Sequence, residues 1–327
     1  MIFSRTWRIW TTFAALLLAG WTTAGRAGEP EAITFLPHWS PQAQFAGYYM
    51  ARDRGFYARE GLAVTILRGG PDQPAVPALV SGEADIASTF LATALARRAE
   101  GVPLKNLAQL GRRSALLLVA KKGAGIRSPA DLDGKTVTVW PDFDLQPRAL
   151  FRKFGVKPRV LPQRQSLDLF LRDGAAAASA MWYNEYHRLL NAGWNEDELV
   201  VIRYDDFGLN LPEDGLYCLE KTLRERPTAC RAFVRATLAG WRAAFEQPEQ
   251  ALDLVLDEVR AANLPASRSH QRWMLARMKD IMLLDRDPAR LGVLDEATYT
   301  NAVGVMREAG VTAAAPAYTN FYEDCTR

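Results

Sequence analysis

Aromatic rings and hydrogen-bonding side chains recur where the predicted strands of this chain end. The four strand ends are His38-Trp39, Ser88-Thr89, Trp140-Pro141-Asp142 and Trp182-Tyr183-Asn184-Glu185. In open α/β sheets, ligands bind beyond the carboxyl ends of the strands. Rings that stack and a carboxylate that accepts amino hydrogens suit a flat, polar small molecule. Any one of these aromatics is equally consistent with a hydrophobic cap on a sheet, but the recurrence favours a binding site.

The ligand-binding residues predicted from these ends share a place at or just after a strand. They are Trp39, Ser88, Thr89, Trp140, Asp142, Trp182, Tyr183 and Glu185. No catalytic or metal-binding motif accompanies them, since the chain lacks G-x-S-x-G, a Walker loop and H-E-x-x-H. The three histidines lie too far apart in sequence for metal-ligand spacing. The pattern predicts binding without catalysis, and neither a cofactor nor a metal.

Short strands and helices of about ten residues alternate along most of the chain, which predicts parallel β-α-β units. One set runs from 32 to 110 and a second from 115 to 203. Each contains a similar helix–glycine–strand junction, at 79–87 and at 171–179. After 219 the chain is mostly helical, with helices predicted at 227–246, 248–262, 269–284 and 295–309. We predict two α/β lobes, with the helical tail packed on the first.

The composition is that of a folded, water-soluble chain of about two domains. The 327 residues are 49% hydrophobic and 24% charged, which is ordinary for globular proteins. Arg5, Arg8 and Arg26 account for the formal charge of +3, so the rest of the chain is neutral. A neutral chain lacks the basic surface that nucleic-acid binding requires, and this excludes nucleic acid as a partner.

The first 27 residues have the pattern of a secretory signal peptide. Arg5 and Arg8 precede an apolar run at 9–21, and small residues lead to cleavage sites after Ala24 or Ala27. A membrane anchor is the alternative, but the run is shorter than the ~20 residues that a spanning helix needs. We therefore predict an exported, soluble mature chain. Export to an oxidising compartment permits one disulfide among Cys218, Cys230 and Cys325, but the sequence does not select the pair.

The segment after the first predicted strand resembles the opening motif of a known group of proteins. Residues 38–49 read His-Trp-Ser-Pro-Gln-Ala-Gln-Phe-Ala-Gly-Tyr-Tyr, and residues 55–62 read Gly-Phe-Tyr-Ala-Arg-Glu-Gly-Leu. Residues 80–85, 131–135 and 182–186 resemble later motifs of the group in the same order. The group comprises the thiamine pyrimidine-precursor synthases of fungi and related periplasmic solute-binding proteins of bacterial ABC importers. The later motifs are shared with taurine, sulfonate and nitrate binding proteins.

The resemblance implies a type 2 periplasmic binding protein fold. Each of its two lobes is a mostly parallel sheet with flanking helices, and two crossover strands, expected near 112–118 and 203–211, join the lobes. The implied organisation is a signal peptide at 1–27, the first part of lobe 1 at 28–114, lobe 2 at 115–207, and a return to lobe 1 with the helical tail at 208–327. Ligand would lie in the cleft between the lobes, and Phe45 and Tyr48 of the opening motif join the predicted site.

The same resemblance separates binding from catalysis. The fungal synthase carries a lysine that holds pyridoxal phosphate and a histidine that is consumed as a substrate. The matching positions here are Thr89 and Thr93, and neither side chain can form a Schiff base or donate an imidazole. The clustered cysteines of the synthase are also missing, because Leu211-Pro212-Glu213-Asp214 stands in their place.

Three functions follow in order of support. The first is the periplasmic solute-binding component of an ABC importer, monomeric, taking a thiamine pyrimidine precursor and delivering it to a permease and an ATPase. The second keeps this role for riboflavin or an alkanesulfonate or taurine-like ligand, with Arg112 and Arg113 either holding an anion or lying as surface charges. The third is an exported, pyridoxal-phosphate-dependent precursor synthase. A sensor that reports ligand occupancy to a membrane receptor stays open beside these.

Overall fold

The computed structural model describes residues 1, 29–164, 166–265, 267–284, 287–311 and 315–327. The predicted signal peptide, apart from Met1, lies outside these residues. Within them, no helix combines the length and the hydropathy needed to cross a membrane.

The described residues form ten β-strands, which divide into two five-stranded sheets. The strands are β1 (Glu31–Leu36), β2 (Leu62–Ile66), β3 (Ile86–Thr89), β4 (Leu104–Gln109), β5 (Leu116–Lys121), β6 (Thr136–Val139), β7 (Arg159–Pro162), β8 (Ala177–Met181), β9 (Leu199–Arg203) and β10 (Gly215–Leu219).

Both sheets have the same strand order and one reversed strand each. The first sheet runs β2-β1-β3-β10-β4 and the second runs β7-β6-β8-β5-β9. In each sheet four strands point the same way, and β10 or β5 is antiparallel to both of its neighbours. Each reversed strand is the first that the chain enters after leaving the other sheet. We refer to the first sheet with its helices as lobe 1 and to the second as lobe 2.

Helices flank both sheets, and several begin where the sequence supplies a proline for the first turn, as at Pro227 and Pro248. The α-helices are α1 (Ala46–Asp53), α2 (Phe56–Arg59), α3 (Ala75–Ser81), α4 (Leu91–Ala99), α5 (Leu145–Phe154), α6 (Asp168–Leu171), α7 (Glu185–Asn191), α8 (Glu220–Glu225), α9 (Pro227–Glu246), α10 (Pro248–Ala261), α11 (Arg268–Met282), α12 (Glu296–Glu308) and α13 (Tyr318–Phe321).

The two helix–glycine–strand junctions occupy equivalent places in the two lobes. One joins α3 to β3 and the other joins α6 to β8, the third strand of each order. Both close with the same capping bond, from Ala84 N to Ala78 O and from Ala175 N to Leu169 O. The left-handed residue is Gly82 in lobe 1 but Asp173 in lobe 2. The structural equivalence is therefore shifted by one residue from the alignment of Gly82 with Gly174 that the sequence suggests.

The chain crosses between the lobes at 110–115 and at 204–214. The first crossing lies earlier than the predicted 112–118, because Leu116 already pairs with Met181 in the sheet of lobe 2. The second extends beyond the predicted 203–211 and contains a 3-10 turn, Tyr204–Phe207. The two crossings lie against each other, since a Cβ on Gly111 would come within 2.3 Å of the Glu213 carbonyl oxygen.

The tail contacts both lobes. Helix α9 packs across α1 so closely that a Cβ on Gly240 would lie 2.1 Å from the Gly47 carbonyl oxygen. Helices α10 and α11 continue this packing on lobe 1, whereas α12 packs against α5 of lobe 2. The sequence predicted only the packing on lobe 1. The cysteines Cys218, Cys230 and Cys325 are buried free thiols, and the Cys218 and Cys230 thiols shift each other's pKa.

Candidate functional site

The candidate site lies where one edge of each sheet faces the other lobe. In lobe 1 the carboxyl ends of β1 and β3 lead to His38 and Ser88. Strand β10 runs the opposite way, so Asp214, which precedes it, stands at the same edge, next to the pairing of Gly215 with Thr89. In lobe 2 the end of β8 leads to Tyr183. Strand direction thus brings residues from distant parts of the chain to one place.

Polar side chains on the lobe 1 side are joined by hydrogen bonds. Gln44 Nε2 donates to both carboxylate oxygens of Asp214, at 3.0 and 3.2 Å. His38 Nδ1 lies 2.9 Å from Ser88 Oγ and 3.6 Å from Asp214 Oδ1. Ser88 Oγ also accepts from the His38 backbone N–H at 3.0 Å. These contacts hold the end of β1, the end of β3 and the second crossing together.

Lobe 2 completes this set through Tyr183. Its side chain is 3% exposed, and the Gln44 side chain lies close enough to its hydroxyl to oppose the rise of its pKa. Burial and the nearby Asp214, Glu213 and Glu185 raise the pKa of Tyr183 well above its usual range, so it stays a neutral hydroxyl. We refer to His38, Gln44, Ser88, Tyr183 and Asp214 as the cleft cluster.

Burial decides the protonation of the cleft cluster, because removal from water disfavours the charged form of any group. It lowers the pKa of His38 to about 3, and the imidazole is neutral at neutral pH. It raises the pKa of Asp214 to about 7, against the opposing effect of the Gln44 hydrogen bond. With a neutral imidazole at His38, the contact between His38 and Asp214 is not an ion pair at neutral pH.

Asp214 also has an uncommon backbone conformation. Its φ is 60°, in the left-handed region that costs a non-glycine residue about 1–2 kcal/mol. Aspartate tolerates this region better than most residues. Strained backbone persists where the surroundings hold it, often at binding sites, and here it places the carboxyl group between Gln44 and His38.

Glu185 lies two residues beyond Tyr183, at the start of α7. Its Oε2 accepts from the Met181 backbone N–H at 3.0 Å, and its Oε1 accepts from Asn184 Nδ2 at 2.9 Å. The residue is 8% exposed, and burial raises the pKa of its carboxyl group. Each carboxylate oxygen can accept a second hydrogen bond. The carboxylate is thus oriented by its own lobe and keeps acceptor capacity for a ligand.

Glu213 joins the two crossings beneath the cleft cluster. Its carboxylate accepts from Ser114 Oγ at 2.7 Å and from the Ala115 backbone N–H at 2.8 Å. Its carbonyl oxygen accepts from Gln109 Nε2 at 2.7 Å. Burial raises the pKa of Glu213 to about 8, although the Ala115 and Ser114 hydrogen bonds oppose the shift. Glu213 therefore links the first crossing to the second.

Two of the predicted aromatic residues, Trp39 and Trp140, follow strand ends of lobe 1 and lobe 2. Trp39 and Trp140 are half-buried, and Trp140 Nε1 donates to the Arg164 carbonyl oxygen at 3.0 Å. Phe143 of lobe 2, whose ring lies 6.3 Å from that of Trp140, stacks on Phe90 of lobe 1 with ring centroids 4.5 Å apart. These rings place apolar surface from both lobes next to the polar cluster.

Other predicted residues lie in packed surroundings. Phe45 and Tyr48 are buried in the core of lobe 1, where the Tyr48 ring lies 4.5 Å from that of Phe35. Trp182 is half-buried, and the Arg203 and Arg277 guanidinium groups lie 4.7 and 5.0 Å from its ring centre. The Asp142 side chain lies outside the described part of the structure.

Gln44, Glu213 and Asp214 were not among the predicted site residues, and His38 was noted only as a strand end. The predicted strand-end residues all follow parallel strands. Glu213 and Asp214 precede an antiparallel strand, which brings them to the same edge. In the sequence, the position of these two adjacent acidic residues directly before the apolar strand 215–219 could have indicated that they belong to the site.

Arg112 and Arg113, the two arginines considered as anion ligands, lie in the first crossing and contact the second. Arg113 Nε forms an ion pair with Asp205 of the second crossing, and the Arg112 carbonyl oxygen accepts from Asn210 Nδ2 at 3.4 Å. Among the described residues, no group of three or more histidine, cysteine, aspartate and glutamate side chains is arranged to hold a metal ion.

Comparison with solved structures confirms the predicted fold class. The periplasmic aliphatic sulphonate binding protein SsuA of Escherichia coli superposes with a TM-score of 0.66 over 89% of this chain and 97% of its own, at 16% sequence identity. The two-lobed α/β architecture of periplasmic binding proteins is therefore the fold of this chain.

Relatives with known roles include both binding proteins and enzymes. The riboflavin-binding protein RibY of Chloroflexus aurantiacus is 27% identical over 293 residues, covering 86% of this chain and 82% of its own. The formylaminopyrimidine-binding protein of Halalkalibacterium halodurans is 24% identical over 277 residues, covering 80% and 82%. The 4-amino-5-hydroxymethyl-2-methylpyrimidine phosphate synthase of Schizosaccharomyces pombe is 34% identical over 129 residues, covering only 38% and 37%.

A family model extends this similarity across the cleft residues of both lobes. It matches residues 42–251, well over half of the chain, and so includes Gln44, Ser88, Tyr183 and Asp214. This chain belongs to the NMT1/THI5-like family.

Proposed function

We propose that this protein is the periplasmic solute-binding component of an ABC importer and that it captures a thiamine pyrimidine precursor between its lobes. The observation that carries the proposal is the cleft cluster, in which Tyr183 of lobe 2 meets Gln44 and Asp214 beside lobe 1. A ligand that takes part in this hydrogen bonding contacts both lobes and favours their closure.

The hydrogen-bond acceptors of the site favour an amino-bearing heterocycle over an anion. Three carboxyl groups, those of Glu185, Glu213 and Asp214, surround Tyr183, and His38 adds no positive charge at neutral pH. An aminopyrimidine offers N–H donors to carboxylate oxygens and a flat face to Trp39. A sulfonate would meet these carboxyl groups, and Arg113 of the first crossing is already paired with Asp205.

Riboflavin is the second candidate, on the similarity to RibY over 86% of the chain. The polar edge of a flavin presents mostly carbonyl oxygens, which need donors such as Gln44 Nε2 and the Tyr183 hydroxyl. Because carboxyl groups outnumber those donors here, we rank the pyrimidine precursor first.

The synthase alternative lacks the residues for its chemistry. Thr89 at the end of β3 is buried, and Thr93 lies within α4. No member of the cleft cluster is a lysine, so the cluster offers no amine for a Schiff base with pyridoxal phosphate. We expect the purified protein to lack pyridoxal absorbance and turnover, and a stoichiometric Schiff-base chromophore would overturn this assignment.

The test combines identification of bound ligand with a matched variant. Native mass spectrometry of protein purified from cells should give the mass of a retained pyrimidine. Titration calorimetry should then rank formylaminopyrimidine and 4-amino-5-hydroxymethyl-2-methylpyrimidine above riboflavin and taurine. Asp214→Asn keeps a residue that tolerates positive φ and should weaken pyrimidine binding about tenfold at an unchanged melting temperature. Retention of riboflavin or taurine alone would refute the pyrimidine assignment.

A further inference from the structure

A second contact between the lobes lies beside the candidate site, where α7 of lobe 2 meets α11. Helix α11 packs on lobe 1 through α10 and the 3-10 helix Ala43–Phe45. From α11, His270 reaches α7, with its Nδ1 2.9 Å from His187 Nδ1 and its Nε2 3.0 Å from Asn184 Oδ1. His270 is thus held between two side chains of the other lobe.

The chemistry of these groups determines the direction of the hydrogen bonds. The Asn184 carbonyl oxygen can only accept, so His270 Nε2 carries the hydrogen and donates to it. A neutral imidazole then has a lone pair at Nδ1, which accepts from His187 Nδ1–H at 2.9 Å. The Asn191 amide nitrogen lies 3.3 Å from the same His187 Nδ1, a longer contact that competes with this one. With its oxygen turned to His270, Asn184 presents its amide nitrogen to Glu185 Oε1 at 2.9 Å. A continuous series of hydrogen bonds therefore leads from α11 to the Glu185 carboxylate.

We propose that His270 is a positioning residue that orients Glu185 for the ligand, through Asn184, only when the two lobes are closed. The inference rests on the proposed function in taking Glu185 as a ligand contact. Without His270, the Asn184 amide is free to turn, and the Glu185 carboxylate loses one of the two hydrogen bonds that orient it. Closure and the completion of the binding site are then one event.

Aromatic packing beside this series also maintains the contact between the helices. The Trp273 ring lies flat against His187, with centroids 4.6 Å apart and an interplanar angle of 7°. Trp273 Nε1 donates to the Trp182 carbonyl oxygen at 3.2 Å, and Arg277 lies over both tryptophan rings. Because these contacts do not involve the His270 nitrogens, loss of those hydrogen bonds should disturb Glu185 more than it disturbs closure.

Protonation of His270 reverses its role at Nδ1. The added hydrogen makes Nδ1 a donor that faces the His187 donor, and the positive charge faces Arg188 of α7 as well. Burial, with His187 and Arg188, lowers the pKa of His270 to about 4, and burial also lowers that of His187. On α10, Glu249 and Asp253 are paired with Arg268, and Glu249 also with Arg272. On separation of the lobes the pKa of His270 returns toward about 6.5.

The difference between the pKa of His270 in the open and closed forms determines how closure depends on pH. The closed form binds the proton less tightly than the open form, so closure is fully favoured above about pH 6.5. As the pH falls from about 6.5 to the pKa of about 4 in the closed form, closure becomes less favourable. Asp214 and Glu213 also titrate in the molecule, so the contribution of His270 is the difference between the wild type and a variant with a non-titrating residue at this position.

The test uses two variants of His270 and 4-amino-5-hydroxymethyl-2-methylpyrimidine and riboflavin as probes. His270→Gln keeps an N–H donor and an oxygen acceptor but does not titrate, whereas His270→Ala keeps neither. By calorimetry at pH 7.5, His270→Gln should bind within about twofold of wild type and His270→Ala about tenfold more weakly. Between pH 6.5 and 4.5 the affinity of the wild type should fall more steeply than that of His270→Gln. Arg272→Gln, on the same helix, is the control and should match wild type.

Wild-type affinity in His270→Ala, or an unchanged pH profile in His270→Gln, would overturn the positioning role. A ligand-independent measurement separates this outcome from failure of the proposed function. Imidazole ¹⁵N NMR of the wild-type protein should give His270 as the Nε2–H tautomer with a pKa below its ordinary value. A Nδ1–H tautomer or an ordinary pKa would refute the inference even if a pyrimidine binds. Failure of both probes to bind, with the expected tautomer and pKa, would refute the proposed ligands alone.

Discussion

At the scale of single residues, the site combines groups that burial keeps neutral with carboxylates that local hydrogen bonds orient. His38 is held as a neutral imidazole, and burial raises the pKa of Asp214 to about 7. Glu185 is oriented by Met181 and Asn184. A site of this kind discriminates by hydrogen-bond complementarity, because a ligand that leaves a buried polar group unpaired incurs a penalty of about 1–3 kcal/mol.

Substitution of Trp39 and Glu185 tests the predicted ligand contacts. Trp39→Ala should weaken pyrimidine binding by about 1–3 kcal/mol, by analogy with base stacking on aromatic rings. Glu185→Gln should weaken it about tenfold or more, since an amide cannot accept at both oxygen positions. Calorimetry gives the affinities, and thermal melting reports folding. Trp241→Phe, in a side chain 1% exposed, is the control and should lower stability alone. Earlier melting of both site variants at wild-type affinity would contradict the assignment.

The buried carboxyl group of Glu213, in the second crossing, should make the stability of the protein depend on pH. Its pKa rises from 4.5 to about 8 on folding, so the folded state retains a proton that the unfolded state has lost. The free energy of unfolding should therefore decrease as the pH rises from about 4.5 to about 8, by at most about 1.4 kcal/mol per pH unit from this group.

Chemical denaturation across that interval checks the effect. Glu213→Gln can still accept from Ala115 N–H, and its pH slope should be flatter than that of the wild type. Glu196→Gln, at an exposed position, serves as the control and should keep the wild-type slope. Equal slopes in all three proteins would exclude the effect.

At the scale of elements, the contact between α1 and α9 fixes the segment that carries Gln44. Gly47 of α1 and Gly240 of α9 allow the two backbones to approach, and the Trp241 ring packs where a Cβ on Gly47 would lie, 2.3 Å from the nearest ring atom. The 3-10 helix Ala43–Phe45 directly precedes α1, so this packing determines where Gln44 meets Asp214.

Gly240→Ala should therefore destabilise the protein. The added Cβ would lie 2.1 Å from the Gly47 carbonyl oxygen and 2.7 Å from Ala51 Cβ, and such overpacking costs about 1–3 kcal/mol. Gly304→Ala in α12 is the matched control, because no described atom lies within 4 Å of its added Cβ. That change should stabilise by about 0.5–1 kcal/mol. Thermal melting of both variants decides, and shifts of the same sign would contradict the packing argument.

At the scale of the whole molecule, the contacts between the lobes lie around the cleft. Phe90 stacks on Phe143, the Tyr183 hydroxyl lies near Gln44, and His270 meets Asn184. Within the described part of the chain, the segments 110–115 and 204–214 are the covalent connections between the two sheets. Such an arrangement favours hinge motion, in which a ligand that contacts both lobes shifts the population toward the closed form.

Small-angle scattering should report this closure. The radius of gyration should decrease when 4-amino-5-hydroxymethyl-2-methylpyrimidine is added, and taurine should leave it unchanged. The contact between α12 and α5 limits the amplitude, because the tail bridges both lobes. An unchanged radius with binding confirmed by calorimetry would indicate a rigid cleft.

The sequence by itself determined the two α/β lobes and the helical tail, since these depend on local periodicity, on proline and glycine positions and on motif order. Helix α9, for example, begins and ends as its pattern predicts, at Pro227 and Glu246. The strand ends that carry Trp39, Ser88 and Tyr183 were also accessible, because parallel strands present their carboxyl ends at one edge.

Only the tertiary structure decided which acidic residues join that edge. Asp214 reaches it because β10 runs against its neighbours, and strand direction within a sheet is set by contacts remote in sequence. The contact of His270 with Asn184 joins residues 86 positions apart, and no local pattern relates them. Burial, which sets the pKa values of His38, Asp214 and Glu213, likewise exists only after both lobes and the tail have packed.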